Sequence, residues 1–375
     1  MRAEVLIVGG GIAGSTLAYL LAKTGFEVVI VERKRLPGHP HHCSGILGFD
    51  ALRELVLFSE DWVLSEVNWA MFVSPGGYSL EISKPLAKVV NRSRMDLETW
   101  ELALSSGARG MLSTPFKGLI SRNEALIKGG TVSFDLIVGA DGALSSVAKA
   151  HGLSEIEVEI GLQRVCGKGL RDGYFVKMLG GSKFSWLQPW GEFTKSGAIG
   201  ELGDPLPRLV SGNCPEPVGK FEGGLIPKRI RRKFWGNGFA LVGDSAGQVK
   251  PMSRGGVLLA VRAAKLLSEE LSRKWGELDL ALANYERKWW ELNGDELLLG
   301  RAIRRYLDHL SPKQLDSIFR SLKENEDLIV KNFETDHQAS PLAKLPKIKV
   351  LKLILSNPKA SAAAVSEALR HFMRW

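Results

Sequence analysis

Three glycines and one glutamate near the start of the chain have the types and spacing that bind a dinucleotide. Gly9, Gly11 and Gly14 form a G-x-G-x-x-G pattern, and Glu32 lies 18 residues beyond the last of them. The first glycine permits a tight turn, the second lets the backbone approach a pyrophosphate, and the third lets helix and strand pack. A carboxylate at the position of Glu32 accepts hydrogen bonds from an unphosphorylated ribose, which favours FAD or NAD over NADP. The predicted contacts are Gly9, Gly11, Ala13, Gly14, Glu32 and Arg33.

The elements around these residues have the order strand, turn, helix, strand. Residues 4–8 begin with Glu4 and continue as an apolar run, which is typical of a parallel strand covered on both faces. Residues 15–24 carry apolar side chains at helical spacing, and residues 26–31 form a second β-branched run that ends just before Glu32. The helix would direct its free N–H groups and the positive end of its dipole towards the phosphates.

Two later segments distinguish FAD from NAD. Residues 134–139 form a buried strand that runs into Asp141 and Gly142, and residues 238–242 form another that runs into Gly243 and Asp244. Residues 255–257 then open a helix that extends to about residue 275. In this order the segments resemble the FAD-dependent enzymes of the aromatic-hydroxylase-like class. The resemblance implies that FAD contacts Asp141, Asp244, Gly255, Gly256 and Val257.

Further segments resemble the geranylgeranyl reductase family, which saturates isoprenoid chains. Residues 40–45 read Pro-His-His-Cys-Ser-Gly and resemble the family's Cys-x-Gly loop beside the flavin, and residues 92–96 resemble a segment that contacts FAD. Residues 184–191 resemble the aromatic-x-Trp-x-Phe-Pro segment that lines the prenyl channel, with Gln188 in place of the usual Phe. The resemblance implies FAD contacts at Cys43, Ser44, Gly45, Arg92 and Phe116, and substrate contacts at Phe184, Trp186, Pro189 and Trp190.

This resemblance implies an FAD-dependent oxidoreductase that reduces the C=C double bonds of geranylgeranyl chains, such as archaeal-type membrane lipid precursors. A long apolar substrate is bound mainly by burial, which requires aromatic and aliphatic walls. Cys43 is the candidate catalytic residue, either as the proton donor or as a group that packs beside the flavin. The external electron donor stays open between NAD(P)H and a reduced ferredoxin-like protein.

Two other functions stay open at this point. One is a flavin-dependent monooxygenase or halogenase that acts on a smaller aromatic substrate. The other is a flavin- or lipid-binding protein without catalysis. His41 and His42 are candidates for a proton relay or a phosphate contact, although a pair of loop histidines is more often without function. No Cys or His spacing indicates a metal site.

The fold class is therefore α/β, with a Rossmann-like FAD-binding domain, an inserted mixed β-sheet substrate domain and a helical C-terminal region. We predict a discontinuous FAD-binding domain of residues 1–60, 90–152 and 235–275. The substrate-binding domain comprises 61–89 and 153–234, and the helical region comprises 276–375. In that region, one of Trp289 and Trp290 is expected in the core and the other at the surface.

Composition sets the remaining limits. The chain has 375 residues, of which 45% are hydrophobic, and this excludes a disordered chain. Three cysteines are too few for a disulfide scaffold and favour a reducing compartment, so we expect a cytoplasmic location. The net charge is +9, and the basic amphipathic segment 346–355 is a candidate for peripheral contact with the cytoplasmic face of a membrane. Nucleic acid is not an expected partner, because no binding motif accompanies the charge.

Overall fold

The structure is a computed structural model that describes residues 1–339 and 357–372. Its strands are β1 (Val5–Val8), β2 (Val28–Val31), β3 (Ile46–Gly48), β4 (Val63–Val73), β5 (Ser79–Val90), β6 (Arg109–Met111), β7 (Phe116–Ser121), β8 (Glu124–Ile127), β9 (Gly130–Ser133), β10 (Leu136–Gly139), β11 (Val158–Cys166), β12 (Gly173–Gly180), β13 (Lys183–Trp190), β14 (Phe193–Gly200), β15 (Glu222–Pro227), β16 (Trp235–Gly236) and β17 (Phe239–Leu241). Its α-helices are α1 (Ile12–Lys23), α2 (Phe49–Glu54), α3 (Arg92–Ser105), α4 (Ser146–Ala150), α5 (Leu206–Gly212), α6 (Val257–Lys274), α7 (Leu278–Leu307), α8 (Pro312–Lys323), α9 (Glu326–Asn332) and α10 (Pro358–Phe372).

A six-stranded sheet with the order β16–β17–β10–β1–β2–β6 forms the first layer. Its central strand β1 pairs in parallel with β2 and with β10, so that Val5 lies between Val28 and Leu136. Every residue of these three strands is buried, which explains why their sequences are apolar runs without alternation. The predicted parallel strands of the nucleotide-binding unit are confirmed.

Helices α1, α6 and α7 pack together beside this sheet. Their shared core includes Leu17, Leu267 and Tyr285, each without exposed surface. The expectation that only one of the two neighbouring tryptophans is buried is wrong: Trp289 is 0% and Trp290 8% exposed. The two rings pack edge to face, with centroids 5.3 Å apart, so the first shields part of the second from solvent.

An eight-stranded mixed sheet with the order β15–β11–β14–β13–β12–β4–β5–β3 forms the second unit. Among the described strands of this sheet, only the β4–β12 pair is parallel, and it joins the two inserted segments of the chain. The strand β3 lies within residues 1–60, which we assigned to the FAD-binding domain. It nevertheless pairs with β5 and belongs to the eight-stranded sheet. A separate three-stranded sheet of β7, β8 and β9 was not anticipated.

Cys166 and Cys214 form a disulfide that joins β11 to the segment after α5. This pairing differs from the expectation of a reducing compartment, which rested on the low and odd cysteine count. Cys43 remains as the free cysteine. The three cysteines therefore form one disulfide bridge and leave one free thiol.

The C-terminal region is helical as predicted, as far as the structure describes it. The 30-residue α7 is followed by α8 and α9, and α10 packs back against α7, where Arg301 pairs with Glu367. The basic segment 346–355, the candidate membrane contact, lies outside the described residues. Across residues 1–339 and 357–372, the structure has no helix that is both long and apolar enough to cross a membrane.

Candidate active site

The glycine-rich turn after β1 leaves no space for side chains at two of its positions. Gly9 has φ +109°, and a Cβ there would lie 2.3 Å from the carbonyl oxygen of Ala140. A Cβ on Gly14 would lie 2.0 Å from the carbonyl oxygen of Gly9. These glycines let β1, α1 and the segment after β10 pack together, as their positions in the sequence predicted.

Gly11 has a different environment. It is the N-cap residue of α1, no side chain caps the helix, and a Cβ on Gly11 would meet no atom within 4 Å. The first N–H groups of α1 therefore face open space at the positive end of the helix dipole. This arrangement fits a pyrophosphate, because an anion supplies the acceptors that the helix start lacks.

Glu32 is held at the edge of this turn. One carboxylate oxygen accepts the backbone N–H of Gly10 at 2.7 Å, and the other accepts the backbone N–H of Lys34 at 2.8 Å. The neighbouring Arg33 is exposed. The backbone N–H of Thr114 donates to the carbonyl of Glu32 at 2.8 Å, which brings the start of β7 and its first residue, Phe116, to the same side of the sheet.

Asp141 has a different local task. Its carboxylate accepts hydrogen bonds from the hydroxyls of Ser145 and Ser146, both at 2.6 Å, and from the backbone N–H groups of Ser146 and Val147. It therefore caps the start of α4. The side chain of this predicted FAD contact is occupied in shaping the turn after β10, so we assign any contact with a cofactor to the backbone around it.

Asp244 lies where the late Gly-Asp segment meets the first helix. A Cβ on the preceding Gly243 would lie 3.1 Å from the Cβ of Ala13, and a Cβ on Gly256 would lie 3.0 Å from Oδ1 of Asp244. Gly256 in turn caps α6, which begins at Val257. Burial raises the pKa of Asp244 to about 6, and the charge of Arg92 partly opposes this rise. The predicted contacts from the two ends of the chain therefore lie together.

Arg92 connects this region to the thiol. Its Nη1 donates to the Sγ of Cys43 at 3.4 Å, and its Nη2 donates to Asp96 at 2.8 Å in a buried ion pair. Burial alone would lower the pKa of Arg92, but the nearby Asp96 and Cys43 outweigh burial and raise it. Among the described residues, the buried Nε of Arg92 has no hydrogen-bond partner. An acceptor from a bound cofactor would satisfy this group, as the resemblance implies.

The loop that carries the thiol is attached to the eight-stranded sheet. Gln188 donates its amide to the carbonyl of Ser44 at 2.6 Å, and Gln163 donates its amide to the carbonyl of Cys43 at 3.0 Å. Gly45, with φ +84°, packs so closely that a Cβ there would lie 3.2 Å from the ring of Trp190. The predicted cofactor loop and the predicted substrate strand are therefore in direct contact.

One end of the substrate strand β13 supplies an apolar surface. Phe184 and Trp186 are 8% and 7% exposed and cluster with Val176 and Ile199. Alternation along the strand places Phe184, Trp186 and Trp190 on one face and Pro189 on the other. Three of the four predicted substrate contacts therefore share a face, and Pro189 does not belong to it.

The other end of this face is polar, which differs from the expected apolar wall. Lys195 of β14 lies opposite Gln188 and has no exposed surface. Its Nζ is 3.3 Å from Oε2 of Glu222 and 3.4 Å from the centroid of the Trp190 ring. Burial lowers the pKa of Lys195, and Glu222 partly opposes this shift. The sequence analysis missed this pair; its signal was a lysine at an inward position of an otherwise apolar and small-residue strand.

Both loop histidines are neutral at pH 7. Burial first, and then the charge of Lys195, lower the pKa of His41 to about 3. Its ring nitrogens already contact the hydroxyl of Ser93 at 3.1 Å and the carbonyl of Cys43 at 2.8 Å. Burial and the charge of Lys34 lower the pKa of His42 to about 4. His41 therefore holds the loop in place, and neither ring is an imidazolium that could act as an acid at neutral pH.

Several of the predicted cofactor residues thus lie close together, and they include groups that could bind FAD. The open N-terminus of α1 would hold the pyrophosphate, Glu32 the ribose, and Asp244 with the start of α6 the ribityl chain and the ring. The unpartnered Nε of Arg92 and the open face of Gly11 are the structural observations that support this fit.

Comparisons with known proteins agree with FAD as the cofactor. The family described as "FAD dependent oxidoreductase" matches residues 4–143, which include β1, α1, β2 and β10. The chain is 26% identical to the digeranylgeranylglycerophospholipid reductase of Methanosarcina acetivorans over 86% of this chain and 88% of that protein. It is 27% identical to digeranylgeranylglycerophospholipid reductase 2 of Methanothermobacter thermautotrophicus over 94% and 97%, respectively.

Solved structures show the same fold. A geranylgeranyl bacteriochlorophyll reductase-like protein from Thermoplasma acidophilum superposes with a TM-score of 0.80 at 20% identity, covering 98% of this chain and 99% of that one. A flavin-dependent brominase superposes with a TM-score of 0.70 at 16% identity, covering 94% and 99%. With the nucleotide-binding residues gathered as described, the chain is an FAD-dependent oxidoreductase that is similar in sequence to digeranylgeranylglycerophospholipid reductases and in fold to a geranylgeranyl bacteriochlorophyll reductase-like protein.

Proposed function

We propose that this protein uses FAD to reduce C=C double bonds in geranylgeranyl chains of archaeal-type membrane lipid precursors. The names of the similar reductases from methanogens support this substrate. The single observation in this chain that carries the proposal is the contact between the Cys43–Gly45 loop and the aromatic strand β13 through Gln188 and Trp190. That contact supports a site in which the thiol lies next to the strand that also carries Phe184 and Trp186.

Each part of the site has a defined task in this reaction. Bound reduced FAD supplies the hydride equivalent for one alkene carbon. Phe184 and Trp186 bind the isoprenoid chain by burial of apolar surface, which stabilises binding by about 25 cal/mol for each Å² removed from water. Cys43 holds the proton for the other carbon, and Arg92, whose Nη1 contacts Sγ, stabilises the thiolate that remains.

The domain arrangement follows from the two sheets. We propose that the strands within residues 1–60, 90–152 and 235–275 hold FAD and that the second sheet, built from 61–89 and 153–234 together with β3, holds the substrate. We propose a cytoplasmic location, although a disulfide such as Cys166–Cys214 is uncommon in that compartment. We also propose that the basic segment 346–355 contacts an anionic membrane, because its lysines are interspersed with aliphatic residues.

Anaerobic reoxidation tests the proposed reaction. The holoenzyme would be reduced with dithionite, separated from excess reductant and mixed with digeranylgeranylglycerophospholipid in detergent. We expect the oxidised flavin absorption to return and the lipid to gain two hydrogens for each double bond, measured by mass spectrometry. Cys43→Ala should slow this reoxidation about a hundredfold, which is the usual contribution of a positioned acid.

The same experiment separates the other candidate functions. Oxygen uptake coupled to oxidation of NAD(P)H and stimulated by a small aromatic compound would instead support a monooxygenase. Tight FAD binding, no reoxidation by any isoprenoid and no effect of Cys43→Ala would support a binding protein without catalysis.

A further inference from the structure

The proposed reaction consumes a proton from Cys43 in every turnover, so the site needs a group that returns it. The charged and titratable groups around the thiol come from its own loop and from three other elements. They are His41 and His42 in the loop, Arg92, which contacts Sγ, with its partner Asp96 on α3, and Lys195 on β14 with its partner Glu222 on β15.

Most of these groups have no proton to give. The pKa values of His41 and His42 are lowered to about 3 and about 4, so both are neutral at pH 7. The pKa of Arg92 is raised, and its guanidinium stays charged throughout. Asp96 is engaged in its buried ion pair with Arg92. Lys195 is the remaining cation in this group.

Lys195 also has the geometry of a proton-exchanging lysine. Its side chain is fully buried, while its partner Glu222 is 25% exposed and therefore in contact with solvent. Glu222 also accepts the amide of Gln163 at 3.1 Å, and the same amide contacts the carbonyl of Cys43. The charge of Lys195 interacts with Cys43 and His41 across this cluster. A buried lysine releases its proton more readily than an exposed one, because burial disfavours the charged form.

We propose that Lys195 is the residue that reprotonates Cys43, with Glu222 as its connection to solvent; this inference rests on the proposed function. The S–H bond of Cys43 breaks as its proton forms the new C–H bond, while reduced FAD, when bound, would supply the hydride equivalent for the neighbouring carbon. An N–H bond of Lys195 then breaks as the S–H bond forms again. The neutral amine takes a proton from solvent by way of the Glu222 carboxylate, which restores the starting state.

Three variants of the holoenzyme test this role. Lys195→Met removes the proton, and Lys195→Arg keeps the positive charge but does not release a proton near neutral pH. We expect both to reduce steady-state turnover about a hundredfold. Lys195→Ala should recover at least about tenfold of its lost turnover when ethylamine is added, because a small amine replaces the missing acid. The matched control is Lys183→Met on the neighbouring strand β13. It breaks a partly exposed pair between Lys183 and Asp204 and should retain turnover.

A second measurement does not depend on substrate. The rate at which iodoacetamide alkylates Cys43 in the holoenzyme reports the thiolate, and Lys195→Met should slow it about threefold or more at pH 7 through loss of the nearby positive charge. Turnover of Lys195→Arg equal to that of the wild type, or failure of ethylamine to rescue Lys195→Ala, would overturn the proposal. If the wild type is not reoxidised by any isoprenoid, the proposed function fails, and an unchanged alkylation rate in Lys195→Met would then overturn the link between Lys195 and the thiol as well.

Discussion

The Nη1 atom of Arg92 lies 3.4 Å from the Sγ atom of Cys43, although the two residues are 49 positions apart in the chain. This contact joins the loop after β2 to the first turn of α3. The same guanidinium pairs with Asp96 one turn later on the helix. A change at Arg92 therefore acts on the thiol and on the buried core of α3 together.

Arg92→Met should destabilise the protein. It leaves the carboxylate of Asp96 buried without its partner, and removal of one member of a buried ion pair lowers the free energy of unfolding by about 3 kcal/mol. Urea unfolding monitored by circular dichroism measures this loss. Arg94→Met, on the same helix, removes the partly exposed pairs with Glu98 and Asp61 and should change little. Equal losses of unfolding free energy in the two variants would contradict a larger stabilisation by the buried Arg92–Asp96 pair than by the exposed pairs of Arg94.

Two glycines of the same turn should respond differently to alanine. Gly14→Ala places a Cβ 2.0 Å from a backbone oxygen, so we expect poor folding and loss of soluble protein. Gly11 has φ −78°, and its Cβ would meet nothing in the protein, so Gly11→Ala should fold normally. It should nevertheless weaken FAD binding at least about tenfold, because the new methyl group occupies the space expected for the pyrophosphate. Fluorescence titration of the apoprotein with FAD measures this, and unchanged affinity would place the pyrophosphate elsewhere.

Stability should fall as the pH is lowered from 7 towards 4. His41 has a pKa of about 3 in the folded protein, below its ordinary value of 6.5, so the unfolded chain binds more protons between these values. The contribution of this neutral histidine is therefore complete above pH 6.5 and is lost as the pH falls. We expect His41→Gln to reduce the difference in unfolding free energy between pH 7 and pH 5 by about 1 kcal/mol. The control is His309→Gln at an exposed position. It should show the same difference in unfolding free energy between pH 7 and pH 5 as the wild type.

The cysteines should divide into one thiol and one bridge. Under native, non-reducing conditions, iodoacetamide should label Cys43 and leave Cys166 and Cys214 unmodified, as measured by peptide mass spectrometry. Because the bridge spans 48 residues, Cys214→Ser should lower the free energy of unfolding by about 4 kcal/mol. Labelling of all three cysteines in the native protein would show that the bridge does not form in solution.

Local sequence was sufficient for the nucleotide-binding unit. The apolar runs of β1, β2 and β10 are unambiguous because strands covered on both faces have no polar positions. Gly9 and Gly14 are required by steric contacts within a few residues or with the neighbouring strand. The burial of both Trp289 and Trp290 was not predictable in the same way, because helical periodicity does not show which neighbours cover the edge of a face.

The polar part of the site, formed by Lys195 and Glu222, depends on the tertiary structure. Lys195 and Glu222 are 27 positions apart, and they meet because β11 lies between β14 and β15 in the sheet. The bridge between Cys166 and Cys214 and the capping role of Asp141 likewise depend on how distant segments or turns are placed. Residue types and spacing along one strand or turn are thus enough to identify a cofactor-binding turn, whereas the surroundings of a thiol depend on strand order, and strand order is set by packing across the whole chain.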